Sequence, residues 1–191
     1  MGLYKFFVIL AKIILNIFYR IEVQGRENAP ESGALVCSNH ISAWDPIFIS
    51  TFYPHPIKWM AKHELFESKF LAKLLNHLGA FPVQRDKNDL TALKRAIRLA
   101  KKGDNVGIFP EGTRVKERDK NLVKPGIGLL ALKTQGQVSP VTILGNYKIF
   151  SKMKIIIHPA IDAQDLVQAK DKGQDLYQEV AWAIMDEIYR V

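Results

Sequence analysis

The chain has 191 residues, enough for one compact domain with a full core and short for two. Apolar residues make up 48% and charged residues 24%, which excludes disordered, collagenous and coiled-coil chains. One cysteine, Cys37, leaves no disulfide framework, and a net charge of +8 favours phosphate, nucleic-acid or anionic-membrane partners.

Residues 1–20 contain no acid. Wound as a helix at about 100° per residue, they gather Lys5, Lys12, Asn16 and Arg20 into an arc of roughly 80°. Lys12 and Asn16 interrupt the ~20 apolar residues that a membrane span requires. Lys12 also falls where a cleavable signal stays apolar, and Phe6 stands where myristoylation after Gly2 wants Ser or Thr. Two readings compete: an interfacial helix with its basic stripe at lipid headgroups, or a helix docked on the protein's own core. The narrow polar arc favours the first. Residues 1–20 are therefore expected to anchor a single domain spanning 21–191.

Strand-like and helix-like segments then alternate. Ile21–Gln24, Ala34–Ser38, Ile57–Ala61, Ala80–Val83, Val106–Phe109, Val138–Leu144 and Lys154–His158 read as strands. Pro46–Phe52, Lys69–Leu78, Asp89–Lys102, Gly126–Thr134 and Gln174–Tyr189 read as helices. In the third, Leu90, Leu93, Ile97 and Ala100 share one face, with Asn88 or Asp89 capping and Gly103 stopping it. In the last, Leu176, Val180, Ile184 and Ile188 form one stripe. Pro140 lacks a ladder donor, so its strand is expected at an edge or bulge. Strands separated by helices imply an α/β layer fold.

Several common motifs fail. No Gly-Lys dipeptide exists, so no P-loop, and no G-x-S-x-G elbow is present. Gly126-Ile-Gly-Leu-Leu-Ala131 matches a relaxed dinucleotide fingerprint, but Lys124-Pro125 precedes it instead of a strand. Cys37 and His40 alone build no four-ligand metal site. No helix-turn-helix or RNA-binding sheet motif accompanies the basic residues.

Asn39-His40-Ile41-Ser42-Ala43-Trp44-Asp45-Pro46 follows an apolar strand. If the chain turns into a helix here, Asp45 can take the proton on one His40 nitrogen and leave the other as a base. Equally, Asp before Pro is a common helix start, with Asp45 as N-cap. Phe109-Pro110-Glu111-Gly112-Thr113-Arg114 sits where another strand ends, the place where open α/β sheets gather ligands. A plain turn with a surface Glu111–Arg114 pair is the bland alternative. Gly79-Ala-Phe-Pro-Val-Gln-Arg85 ends a further extended segment in an arginine.

Together with Ala61-Lys62-His63-Glu64-Leu65-Phe66 and Val138-Ser-Pro-Val-Thr-Ile143, these pieces are specific. Over residues 33–144 the chain resembles the glycerolipid acyltransferase family, most closely its bacterial 1-acyl-glycerol-3-phosphate acyltransferases. It departs at Val115, where many relatives carry Ser, and in having room for one apolar N-terminal helix rather than two.

The resemblance implies a single-domain α/β fold with a mixed central sheet flanked by helices. It implies transfer of a fatty acyl group from acyl-CoA or acyl carrier protein to lysophosphatidic acid, with no further cofactor and no metal. His40 would be general base and Asp45 its partner. Lys62, Arg85 and Arg114 would hold the acceptor phosphate, with Thr113 beside them. Glu111 would accept from a glycerol hydroxyl or hold an arginine, and Gly112 N–H is a candidate oxyanion donor. Ser42 needs no covalent role, because a thioester is already activated. The acid-free tract from Lys120 to Ile161, with Lys124, Lys133, Lys148, Lys152 and Lys154, would add to a face resting on anionic lipid. The expected place is the cytoplasmic face of the cell membrane, and nucleic acid is not an expected partner. Acylation of glycerol-3-phosphate or another lysophospholipid would use the same residues, and a non-enzymatic lipid-surface binder would need neither His40 nor Asp45.

Overall fold

A computed structural model describes residues 2–84, 89–115, 117–168 and 176–191. An acid-free helix, α1 (Gly2–Phe18), leads into β1 (Arg20–Gln24). There follow β2 (Leu35–Ser38), α2 (Asp45–Phe52), β3 (Ile57–Lys62), α3 (Lys69–His77) and β4 (Phe81–Val83). Next come α4 (Leu90–Lys101), β5 (Asn105–Ile108), α5 (Gly126–Thr134), β6 (Gln137–Leu144) and β7 (Lys152–Ile157). The chain closes with β8 (Ile161–Asp162), α6 (Asp165–Gln168) and α7 (Leu176–Ile188). The elements predicted above are found within a residue or two of their expected ends, and the expected start of the last helix at Gln174 lies outside the described residues. β8 and α6 are additions, too short to leave a periodic signal.

The strands form one mixed sheet in the order β1-β7-β6-β2-β5-β3-β4, with β8 also paired to β6. β6, β2, β5, β3 and β4 run parallel; β7 lies antiparallel to β6, and β1 follows the direction of β7. Strand alternation builds two cores. Leu35 and Cys37 face α4, α5 and α7, where Ala96, Leu130 and Ile184 are fully enclosed. Val36 faces the other way, toward Phe48 and Ile49 of α2 and Leu15 of α1.

Two expectations change. Pro140 sits in an interior strand rather than at an edge, paired to Cys37 of β2. It is tolerated because the other side of β6 is interrupted there: β8 pairs only with Gln137 and Val138, and β7 takes over from Val141. In α4 the buried stripe is Ala92, Ala96 and Ala100, and Leu90 is 60% exposed. Small alanines let the helix lie close to the sheet, which pushes the large Leu90 side chain outside the contact. The fingerprint-like Gly128 belongs to packing, since a Cβ there would fall 2.0 Å from the Tyr177 carbonyl oxygen of α7.

At the amino-terminal edge of the parallel strands the backbone is tied directly. Gly33 N–H donates to the Gly103 carbonyl at 3.0 Å, and Ala34 N–H to Asn105 Oδ1 at 3.0 Å. Lys58 and Asp104 add an ion pair of 2.7 Å. The opposite, carboxyl edge holds Ser38, Lys62, Val83 and Ile108 at the strand ends, so the motif segments that follow them converge there.

Candidate active site

Two residues beyond β2, His40 turns its Nδ1 to Asp45 Oδ2 at 2.8 Å. The same oxygen accepts from the N–H groups of Ile41 at 2.7 Å and Ser42 at 2.8 Å. Asp45 is fully buried and is the first residue of α2, with Pro46 behind it. Its carboxylate therefore points back into the turn that precedes the helix and makes no cap, which decides between the two sequence readings. A carboxylate only accepts, so Nδ1 carries the hydrogen of neutral His40 and Nε2 is left as the basic nitrogen. Ser42 Oγ accepts from Trp44 N–H at 3.3 Å, an arrangement that serves the turn.

The imidazole is also fixed from its face. It stacks on Phe109 at 3.9 Å between ring centroids, and Phe109 stacks in turn on Trp59 at 4.8 Å. Asn39 ties the end of β2 to β6 by accepting from Ile143 N–H at 2.8 Å and donating to its carbonyl at 2.9 Å. The base thus stands on a sheet end rather than on a free loop.

Glu111 departs from its expected role. It is buried, one carboxylate oxygen accepting from His40 N–H at 3.1 Å and the other from the Tyr189 hydroxyl at 2.6 Å. Both oxygens are engaged inside the protein, so Glu111 holds the backbone of the base rather than an arginine. Burial raises its carboxyl above the usual range, against the pull of those two donors. Gly112 adopts φ +67°, and its N–H donates to the Phe109 carbonyl at 3.0 Å. That bond spends the donor within the turn, so the oxyanion role is not available in this geometry. The loop closes on the base again when Val115 N–H donates to the His40 carbonyl at 2.8 Å.

Thr113 and Arg114 are exposed beyond this turn. Lys62 is exposed at the end of β3, paired with Glu64 at 2.7 Å. Arg85 lies outside the described residues, two positions past Val83, which is register partner to Lys62. Because the strands run in the order β2-β5-β3-β4, His40, the Glu111–Arg114 turn and Lys62 form a row along one edge. A cavity of about 500 Å³ lies beside the turn, its apolar wall including Met60, Val83, Leu93, Ile108 and Ile127. A second cleft on the far side of the turn is lined by Ile41, Val115, Tyr147 and Tyr189.

A profile of the family described as Acyltransferase matches residues 20–144, the stretch that holds every one of these motifs. This chain belongs to the acyltransferase family. A Bacillus subtilis acyltransferase named for 1-acyl-sn-glycerol-3-phosphate is 33% identical over 89% of this chain and 88% of its own length. A Borreliella burgdorferi protein of the same name is 36% identical over 77% of this chain and 64% of its own length. The crystal structure of the 1-acyl-sn-glycerophosphate acyltransferase of Thermotoga maritima superposes on 98% of this acyltransferase and 80% of that chain. Its TM-score is 0.71 at 24% identity, so the fold is shared: a mixed sheet flanked by helices.

Proposed function

We infer that this acyltransferase moves a fatty acyl group from an acyl thioester to the 2-hydroxyl of 1-acyl-glycerol-3-phosphate, giving phosphatidic acid. The names of its relatives support that substrate, and the pairing of His40 with Asp45 at the strand edge carries the chemistry. An alcohol is a weak nucleophile near neutral pH. His40 Nε2 takes its proton as oxygen attacks the thioester carbonyl, and Asp45 stabilises the imidazolium that forms. The thiolate leaves as the tetrahedral intermediate collapses, and the imidazolium returns the proton to it. Base catalysis of this kind contributes about 10²–10⁴-fold.

Lys62 and Arg114 supply the cationic side of the acceptor site, Arg85 is assigned to it by its family motif alone, and the apolar cavity next to Glu111–Thr113 seats an acyl chain. Both substrate and product are lipids, and α1 is the means of reaching them. Phe6, Ile9, Ile13 and Ile17 are each more than half exposed along that helix. No helix among the described residues is long and apolar enough to cross a membrane. An in-plane seat is the reading that suits an acid-free helix with one basic stripe. Because β1 and β7 run against the parallel strands β6, β2, β5, β3 and β4, α1 enters the sheet at the edge that carries His40. Ile149 and Phe150, at 62% and 67% exposure, stand on the β6–β7 loop at that same edge.

Thiol release from acyl-CoA in the presence of 1-acyl-glycerol-3-phosphate tests the reading. His40→Ala is expected to abolish release with the fold retained, and Asp45→Asn to remove most of it. Near-normal turnover by His40→Ala would overturn the general-base assignment.

A further inference from the structure

The β6–β7 loop delivers a side chain to the dyad that no motif marks. Asp45 Oδ2 is shared by His40 and two backbone N–H groups, and the partner of Oδ1 is the hydroxyl of Tyr147. We propose that Tyr147 is a positioning residue of the reaction: it completes the hydrogen bonding of Asp45 and thereby sets both the orientation and the basicity of His40.

The direction of the bond follows from chemistry, since a carboxylate has no proton to give. Burial and the neighbouring Asp45 charge raise the Tyr147 hydroxyl far above its ordinary range, so it stays protonated and stays a donor. The ring is held edge-on against Phe48 of α2 at 5.2 Å, and its backbone carbonyl accepts from the Tyr19 hydroxyl at 3.3 Å. The loop itself is tied to the end of α1, where Phe150 N–H donates to the Phe18 carbonyl at 2.6 Å. Tyr147 and Phe150 both adopt left-handed backbone, at φ 58° and 65°. Such angles are disfavoured for bulky side chains and persist where the surroundings impose them. Here the reward is a phenol delivered to a buried carboxylate.

The donor has two effects. It keeps the carboxylate plane from turning away from Nδ1. It also draws charge from Asp45, so that less is available to hold a proton on the imidazole. Removing it leaves a more basic carboxylate and a more basic His40. The base must be neutral to act, so the acid limb of the rate profile moves to higher pH.

The test is Tyr147→Phe in the full chain, and it rests on the reading of His40 as base. We expect kcat to fall about tenfold, as for loss of one hydrogen bond to a charged group, with KM for both substrates within about twofold. The acid limb of kcat/KM is expected to rise by roughly half a pH unit. The His40 imidazole, followed by NMR on histidine-labelled protein, should titrate higher by the same amount without any turnover. Tyr19→Phe, which frees only the Tyr147 carbonyl, is expected to lower stability while leaving the limb in place. An unchanged acid limb and unchanged His40 titration in Tyr147→Phe would overturn the proposal, whatever happens to stability. If His40→Ala keeps its activity, the base assignment falls instead, and the NMR titration alone decides what Tyr147 does to His40.

Discussion

Tyr189, near the carboxyl terminus, donates its hydroxyl to Glu111 at 2.6 Å, while the other oxygen of Glu111 holds the N–H of His40. The last helix is thus linked through one carboxylate to the backbone of the base. Tyr189→Phe would leave a buried carboxylate oxygen unpaired, at a cost of about 1–3 kcal/mol by chemical denaturation. Glu111→Ala is expected to lower kcat by more than Tyr189→Phe does, because it also releases His40. A double-mutant cycle of the two should give a coupling energy of about 0.5–3 kcal/mol. Additive effects would show that the two residues act independently.

The cationic row makes a different demand. Arg114→Ala and Lys62→Ala are expected to raise KM for the phosphorylated acceptor roughly 10- to 150-fold, the cost of a charge-assisted contact. KM for the acyl donor should change far less. Lys62 is now paired with Glu64 in an exposed bridge of 2.7 Å. Exposed pairs contribute under about 1 kcal/mol, so Glu64→Gln should leave both stability and acceptor KM nearly unchanged. Equal damage to donor and acceptor kinetics would make the row structural.

His158 predicts the acid response of the fold. Thr142 has one hydroxyl hydrogen, which it donates to the Ile188 carbonyl, so His158 Nε2, 2.7 Å away, must be the donor to Thr142. Burial holds His158 below its ordinary value. The unfolded chain therefore binds this proton more readily, and stability falls as pH drops below about 6.5 toward the lower folded value. His158→Gln should flatten the decline in Tm between pH 7 and pH 5. A decline of the same slope in the variant would place its origin elsewhere.

The lipid-facing elements can be separated. Replacing Phe6, Ile9, Ile13 and Ile17, the exposed apolar side chains of α1, by Ser should free the protein from anionic vesicles in a sedimentation assay, while Leu15, Phe18 and Tyr19 still hold the helix and the Tyr147 loop in place. Transfer to bilayer-embedded acceptor should fall, while a short-chain soluble acceptor stays comparatively well used. Replacing Ile149 and Phe150 together by Ser should weaken sedimentation less, because it removes only one small apolar contact. Unchanged sedimentation of the α1 variant would move the anchor to the lysine-rich tract.

The layer fold, the strand and helix positions and His40 and Asp45 as a candidate pair were legible because each rests on local spacing. The direction of the Asp45 carboxylate was not, since a cap and a back-facing dyad have the same sequence. Tyr147 and Tyr189 were invisible for another reason. They lie 102 residues from Asp45 and 78 from Glu111, and nothing local marks them. Burial of Glu111 was equally hidden, because a turn of Pro, Gly and charged residues reads as surface. Pro140 does not lie at a sheet edge, but its missing donor falls at a break in the ladder on one side of β6, which the sequence placed only as far as an edge or bulge.

The bonds from Gly33 to Gly103 and from Ala34 to Asn105 lie at the end of the sheet remote from His40. Stabilising substitutions commonly trade against turnover when they stiffen a reacting region. Here the two regions are separated by the length of the strands. Cross-links or rigidifying replacements near Ser32 and Asp104 would raise heat tolerance while the loops around Glu111 and Tyr147 keep their freedom. The same remote end suits attachment to a solid support, which would leave α1 and the reacting edge turned outward to meet a lipid layer.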